Sequence, residues 1–75
     1  MKQWEGFDSA ITGTAFIWNG NERVEVLVYD SEKMAEQLII RDGMTADEAF
    51  DYIDFNIESA YIGKDTPVIV WKYYE

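Results

Sequence analysis

The chain has 75 residues, of which 48% are hydrophobic and 28% are charged, and its fifteen acidic and six basic residues leave a formal net charge of −9. A chain of this length and apolar content forms one folded domain, which excludes intrinsic disorder. The negative charge repels DNA, RNA and anionic membranes, so we expect no direct nucleic-acid or membrane binding and instead a protein partner with a basic surface.

The residue types that most often carry chemistry are missing, because the chain contains no histidine and no cysteine. These residues supply the commonest general bases, nucleophiles and transition-metal ligands. We therefore predict no catalytic residues, no metal site and no cofactor. The lack of cysteine, of a long apolar run and of a basic region followed by an apolar one at the N-terminus predicts a soluble cytoplasmic protein. A weak enzyme or metal protein built from carboxylates is an alternative.

Residues 1–9 are predicted to form an N-terminal arm ahead of a single domain of residues 10–75. Trp4 and Phe7 stand among polar neighbours in this arm. We expect one or both of these aromatic side chains to lie against the body of the domain.

A β-hairpin is predicted to begin the domain. Residues 10–18 are rich in β-branched and aromatic side chains, and residues 22–29 alternate in character, which is typical of two strands. The asparagine and glycine residues at 19–21 favour the turn between them.

Two helices are predicted to follow the hairpin. Asp30 or Ser31 can cap the first helix, which runs to about Arg41 and is ended by Gly43. Because only about three residues separate it from the second helix, the two should pack as an antiparallel helical hairpin. The predicted buried face of the first helix consists of Met34, Ala35, Leu38 and Ile39.

The second helix has signals at both ends. Thr45 followed by Glu48 forms a capping box, and Gly63 tolerates a left-handed C-terminal turn, so we predict a helix over residues 46–62. At about 100° per residue, its apolar side chains form one stripe that should be buried. The predicted buried stripe consists of Ala46, Ala49, Phe50, Ile53, Ile57, Ala60 and Tyr61.

The chain is predicted to end in a third strand over residues 68–74, which Pro67 can enter without loss of a hydrogen bond. The order ββααβ defines an α+β fold. Because an even number of helices returns the chain to the end at which the second strand finished, we expect the third strand to pair antiparallel with it. The helical hairpin would then cover one face of a three-stranded antiparallel sheet.

The other face of this sheet is predicted to be rich in apolar and aromatic groups. If Val24, Val26 and Val28 face the helices, the alternate side chains face outward. We interpret the outward residues as the contact surface of a homodimer, unless the N-terminal arm covers them or the facing is shifted by one residue. The candidate oligomer residues are Phe16, Trp18, Leu27, Tyr29, Val70 and Tyr74.

A row of carboxylates runs along the second helix beside its apolar stripe. Three interpretations stay open: a solvated face, a mimic of a nucleic-acid backbone, and a contact in which the carboxylates meet Arg or Lys around an aromatic anchor. Phe55, which lies roughly opposite the apolar stripe, is the candidate anchor. The candidate partner-binding carboxylates are Asp47, Asp51, Asp54 and Glu58.

Three segments, FDSAITG, LVYDSEK and RDGMTADEAFDYIDFNIESAYIGKDTPVIV, resemble a widespread group of short, uncharacterised proteins of phages and prophages. The resemblance is carried by Asp8, Ala10, Ile11, Gly13, Tyr29, Asp30, Arg41 to Met44, Ala49, Phe55, Asn56, Ala60, Tyr61, Gly63, Thr66 and Pro67. It implies a phage setting and an intracellular product, and small acidic phage products often bind and inhibit host proteins. The expected function is therefore a non-enzymatic binder that occludes a surface of a host or defence protein. The alternatives are a DNA-mimic inhibitor of a nucleic-acid-binding protein and a structural homo-oligomer.

Overall fold

A computed structural model of the chain describes residues 1–58 and 60–71. After a short 3₁₀ turn, the elements follow the predicted ββααβ order, and the α+β fold class is confirmed. The second helix is α-helical in its first half and continues as a π-helical turn. The elements are the 3₁₀ turn Asp8–Ala10, β1 Ile11–Asn19, β2 Glu22–Asp30, α1 Ser31–Asp42, α2 Ala46–Tyr52, the π-turn Ile53–Glu58 and β3 Val68–Val70.

Three of the four helix ends that local signals predicted are confirmed. The Asp30 carboxylate accepts the backbone N–H of Glu32 at 2.9 Å, so Asp30 is the residue that caps α1. Gly43 ends α1 at φ +69°, a left-handed conformation that costs a glycine little, and its N–H donates to the Ile39 carbonyl at 3.1 Å. At the start of α2, Thr45 and Glu48 form both hydrogen bonds of the capping box.

The predicted end of the second helix is wrong. The π-turn ends at Glu58, and residues 60–62 are not helical. The Ile62 N–H, which would bond to a helix carbonyl if the helix continued, instead donates to Oγ1 of Thr66 at 3.0 Å and closes a turn. Gly63, at φ +134°, belongs to this turn and does not cap the helix. As a result Tyr61, which was predicted to be buried, is 75% exposed.

The sheet is mixed, which corrects the prediction of a purely antiparallel sheet. β1 pairs antiparallel with β2, whereas β3 pairs parallel with β2, with Val28 opposite Val68. The segment after the π-turn carries the chain back to the beginning of β2, where Nζ of Lys64 contacts the Glu22 carboxylate at 2.7 Å. More than a dozen residues separate β2 from β3, which is sufficient for the crossover that a parallel pair requires.

The hydrophobic core lies between the two helices, the 3₁₀ turn and the end of β2. Most of the predicted helix positions are buried there, but Ile39 and Ala46 are exposed, and Phe50 and Ala60 are only half-buried. The predicted stripes were too wide because each helix meets its neighbours along a narrower line. The cluster buried on the helix side consists of Phe7, Ala10, Tyr29, Met34, Ala35, Leu38, Ala49, Ile53 and Ile57. Val26 is also fully buried but is not part of this cluster.

The predicted facing of β2 is wrong by one residue. Tyr29 is fully buried in the helix-side core, and Leu27 packs against the same core. Since side chains alternate along a strand, Val24, Val26 and Val28 therefore point to the opposite face. The strand is apolar on both faces at this end, so its alternation alone could not decide which face meets the helices.

The N-terminal arm covers the Tyr29 end of the core. The ring centroids of Trp4 and Tyr29 lie 4.9 Å apart, and the Trp4 backbone N–H donates to the Tyr29 hydroxyl at 2.9 Å. Phe7 is buried, and the guanidinium of Arg41 lies 5.3 Å from its ring centroid. The arm therefore contributes part of the core.

The far end of the β1–β2 hairpin projects beyond the helices. The radius of gyration is 12.8 Å, against about 11 Å for a compact chain of this length. Phe16 and Trp18 share the face of Leu27 and Tyr29 through their cross-strand partners, yet they are 54% and 71% exposed. The helices therefore cover only the end of the hairpin that leads into α1.

Candidate functional site

Three of the four predicted carboxylates line one surface groove of about 380 Å³. We call it the acidic groove; it is lined by Phe50, Asp51, Asp54, Glu58 and Trp71. All three of its carboxylate side chains are exposed, whereas the two rings are half-buried. The groove combines a negatively charged rim with an aromatic wall.

The wall of the acidic groove is built from two distant parts of the chain. Phe50 comes from α2 and Trp71 directly follows β3, and their ring centroids lie 6.2 Å apart with the planes tilted by 45°. This spacing lies within the range that aromatic pairs favour. Nε1–H of Trp71 donates to the Glu58 carboxylate, which orients both side chains toward the groove.

The π-turn places Asp54 and Glu58 relative to the buried side chains. Ile53 and Ile57, four residues apart, are 0% and 7% exposed. Because a π-helix has a wider turn than an α-helix, residues four apart lie more nearly above one another, so both isoleucines face the core. Asp54 directly follows Ile53, and Glu58 directly follows Ile57. Both carboxylates therefore lie at the mouth of the acidic groove.

A second, shallower groove of about 350 Å³ lies beside the acidic groove. Its prominent feature is Phe55, whose side chain is 72% exposed. Asp51 lines both grooves, so it connects the acidic rim to the exposed ring. We call this the Phe55 groove; it is lined by Met44, Glu48, Asp51, Tyr52, Phe55 and Asn56.

Asp47 is exposed but lines neither groove, so the row of four predicted acids divides into a group of three and a separate member.

Sequence reasoning missed the aromatic wall. Phe50 was assigned to the buried stripe, and the position of Trp71 depends on the parallel pairing of β3. No local signal in the sequence specifies that pairing.

The charge of the acidic groove is not neutralised by the described part of the chain. Among those residues, no lysine or arginine forms a salt bridge with Asp51, Asp54 or Glu58. In the neighbouring Phe55 groove, hydrogen bonds from the backbone and side chain of Thr45 lower the pKa of the Glu48 carboxyl. That carboxyl therefore stays ionised at neutral pH.

Carboxylates above aromatic rings are suited to a guanidinium or an ammonium group. A cation is attracted to the face of an aromatic ring, and charge-assisted hydrogen bonds join it to carboxylates. Within residues 1–58 and 60–71, no cluster of three or more acidic side chains is close enough to hold a metal ion. No helix in these residues has the length and apolar character needed to cross a membrane.

The six candidate oligomer residues do not form one surface. Phe16 and Trp18 are exposed and Leu27 is half-buried, but Tyr29 is buried in the core. Val70 pairs with Asp30 in the parallel register and therefore lies on the face opposite Tyr29. Tyr74 lies outside the described residues. The predicted oligomer face is thus reduced to the two aromatic residues of the projecting hairpin.

Comparison of the chain with protein families, with curated proteins and with solved structures finds no match.

Proposed function

We propose that this protein is a non-enzymatic binder that occludes a basic surface of another protein, and that the acidic groove and the Phe55 groove are its contact site. The observation that carries the proposal is the grouping of Asp51, Asp54 and Glu58 around the rings of Phe50 and Trp71. An arginine or lysine side chain of the partner would enter the acidic groove, and an apolar pocket of the partner would receive Phe55.

The two kinds of contact have different physical roles. The carboxylates attract a basic partner over a distance and increase the rate of encounter, an effect that falls as salt is added. The aromatic rings supply the apolar area that keeps the partner bound, because interface energy concentrates in a few well-packed anchors. Asp51, which lines both grooves, brings the two contacts into one continuous surface.

The arrangement favours protein binding over imitation of DNA. A nucleic-acid mimic needs a broad and regular array of charges that matches the phosphate spacing. Here the carboxylates converge on two aromatic rings, and Asp47 lies apart from them. An aromatic wall has no counterpart in a phosphate backbone, but it is suited to an Arg or Lys side chain.

The resemblance to short phage and prophage proteins suggests where such a partner would be found. We propose a phage setting, a bacterial cytoplasm and a host or defence protein as the target. This part of the proposal rests on the sequence segments that carry the resemblance, and the groove geometry supports only the chemistry of the contact.

The test is affinity capture from bacterial cells with a set of charge-matched variants. One variant carries Asp51→Asn, Asp54→Asn and Glu58→Gln, which removes three charges from the acidic groove. The control carries Glu5→Gln, Glu25→Gln and Glu36→Gln, which removes three charges from exposed positions elsewhere. Both variants have the same net charge.

We expect the wild type and the control to recover the same protein, with a yield that falls as salt is added. The groove variant should bind it roughly tenfold more weakly, since three exposed ion pairs at about 0.5 kcal/mol each sum to about 1.5 kcal/mol. Equal recovery by both triple variants would exclude the acidic groove as the contact site.

A further inference from the structure

The outer side of β1 is an unprotected sheet edge. The strand order is β1-β2-β3, so among the described residues nothing pairs with the outer side of β1. Its nine residues extend for about 30 Å. Monomeric proteins usually protect such an edge with charged residues, proline or a central bulge. β1 contains no charged residue and no proline, and its one irregularity lies at its beginning, between Ile11 and Gly13.

Two large aromatic side chains lie on this strand, beyond the cover of the helices. Phe16 is 54% exposed and Trp18 is 71% exposed. The guanidinium of Arg23, on the neighbouring strand, lies 3.9 Å from the ring centroid of Phe16, within the range of a cation–π contact. The ring of Phe16 and the indole of Trp18 therefore present aromatic surface on the strand that forms the free edge.

The distribution of charge identifies the partner that fits this edge. Residues 10–21 contain no charged side chain, although 28% of the chain is charged. A basic partner would be drawn to the acidic groove, because β1 itself carries no charge and the charges nearest to its rings, Arg23 and Glu25 of β2, are of opposite sign. Two copies of this chain, each with a net charge of −9, repel one another, and a contact through the uncharged residues of β1 brings fewer carboxylates together than a contact through the acidic groove would.

We propose that β1 pairs antiparallel with β1 of a second copy about a two-fold axis near Ala15, which joins the two sheets into one sheet of six strands. An antiparallel strand pair is compatible with two-fold symmetry, because each strand presents the same edge to the other. The acidic groove is built partly from Trp71, which follows β3 at the other edge of the sheet, so it stays accessible in the dimer.

The area available predicts a weak dimer. Fully exposed aromatic side chains present about 150–250 Å² each, so Phe16 and Trp18 offer roughly 250–300 Å² per copy at their observed exposure. With the paired backbones and the threonines of β1, the total approaches about 1,000 Å², the lower limit of specific interfaces. Interfaces at this lower limit belong to weak or transient complexes, so we expect a dissociation constant in the micromolar range or above.

The test is sedimentation velocity of the full chain from about 1 to 300 µM, the range over which such an interface dissociates. We expect the wild type to change from monomer to dimer across this range. Phe16→Lys and Phe16→Glu should each raise the dissociation constant at least about tenfold, because like charges would lie close together across the axis. An equimolar mixture of the two variants should restore association. The control variants Ile40→Lys and Ile40→Glu change an exposed residue of α1 and should behave as the wild type.

Hydrogen exchange of the wild type provides a second measurement that does not depend on the folding of any variant. Alternate backbone amides of β1 should become more protected as the concentration rises, whereas those of the helices should not. The proposal is overturned by a wild type that stays monomeric at the highest concentration, by a dimer that persists in both Phe16 variants, or by β1 protection that does not depend on concentration. None of these results would bear on the acidic groove.

Discussion

The hydroxyl group of Tyr29 provides the most direct test of how the N-terminal arm is held against the core. It accepts the backbone N–H of Trp4 at 2.9 Å, and the two ring centroids lie 4.9 Å apart where the arm covers the core. Replacing Tyr29 with phenylalanine keeps the ring and its packing but removes the acceptor. The partly buried amide of Trp4 then has to remain unsatisfied or the arm has to move toward solvent.

Leaving a buried backbone donor unsatisfied costs about 1–3 kcal/mol, and a partly buried donor such as the Trp4 amide belongs in the lower part of this range. The loss is reduced further because phenylalanine has no hydroxyl group that must be desolvated on burial. We therefore expect Tyr29→Phe to lower the free energy of unfolding by about 1–2 kcal/mol. For a domain of this size, that loss corresponds to a fall in Tm of roughly 5–15 °C. Urea denaturation followed by circular dichroism measures the first quantity, and a thermal scan measures the second.

The matched control is Tyr52→Phe, because Tyr52 is 40% exposed whereas Tyr29 is fully buried. Its free energy of unfolding should stay within about 0.5 kcal/mol of the wild type. Hydrogen exchange at the Trp4 amide should accelerate in Tyr29→Phe and not in the control. If both variants were equally stable and the Trp4 amide exchanged at the same rate in each, the arm would not be held by this bond.

Three further predictions concern pH, capping and backbone conformation. Burial raises the pKa of the Tyr29 phenol above its unfolded value of about 10. The neutral phenol therefore contributes stability that is complete below about pH 10 and declines as the pH rises above it. Urea denaturation from pH 8 to 11 should show this decline in the wild type and a smaller one in Tyr29→Phe. Thr45→Ala removes the N-cap of α2 and should lower the free energy of unfolding by about 1 kcal/mol, whereas Thr45→Ser should retain most of the stability that the cap contributes. An equal loss in both variants would contradict a capping role. Gly43→Ala places a Cβ at φ +69° and should cost about 1 kcal/mol, while Gly43→Asn should cost less; a neutral alanine variant would show that the left-handed cap is absent.

The features that the sequence predicted correctly are those set by residues close together in the chain. Asp30 caps α1 two residues ahead of the amide it binds, and Thr45 and Glu48 satisfy each other across one turn. Gly43 is the residue type that a left-handed helix end requires. The order of the elements followed from these signals and from the strand-forming character of β1 and β2.

The features that the sequence did not predict depend on contacts between distant residues. The direction of β3 depends on how far the segment after the π-turn travels, and its path is marked by the pair formed by Lys64 and Glu22. The facing of β2 depends on which apolar face the helices select, because Leu27 and Tyr29 compete with three valines. Trp71 reaches the acidic groove only as a consequence of the parallel pairing.

Site-specific photo-cross-linking in bacterial cells tests the proposed contact site most directly. Phe55 and, in a separate chain, Ile40 are replaced by a photoreactive phenylalanine analogue; both side chains are well exposed, at 72% and 81%, but only Phe55 lines the proposed site. We predict one discrete adduct from position 55, none from position 40, and loss of the adduct when Asp51, Asp54 and Glu58 are neutralised. The same adducts from both positions, or an adduct at position 55 that survives neutralisation of the three carboxylates, would contradict a binding function for the acidic groove.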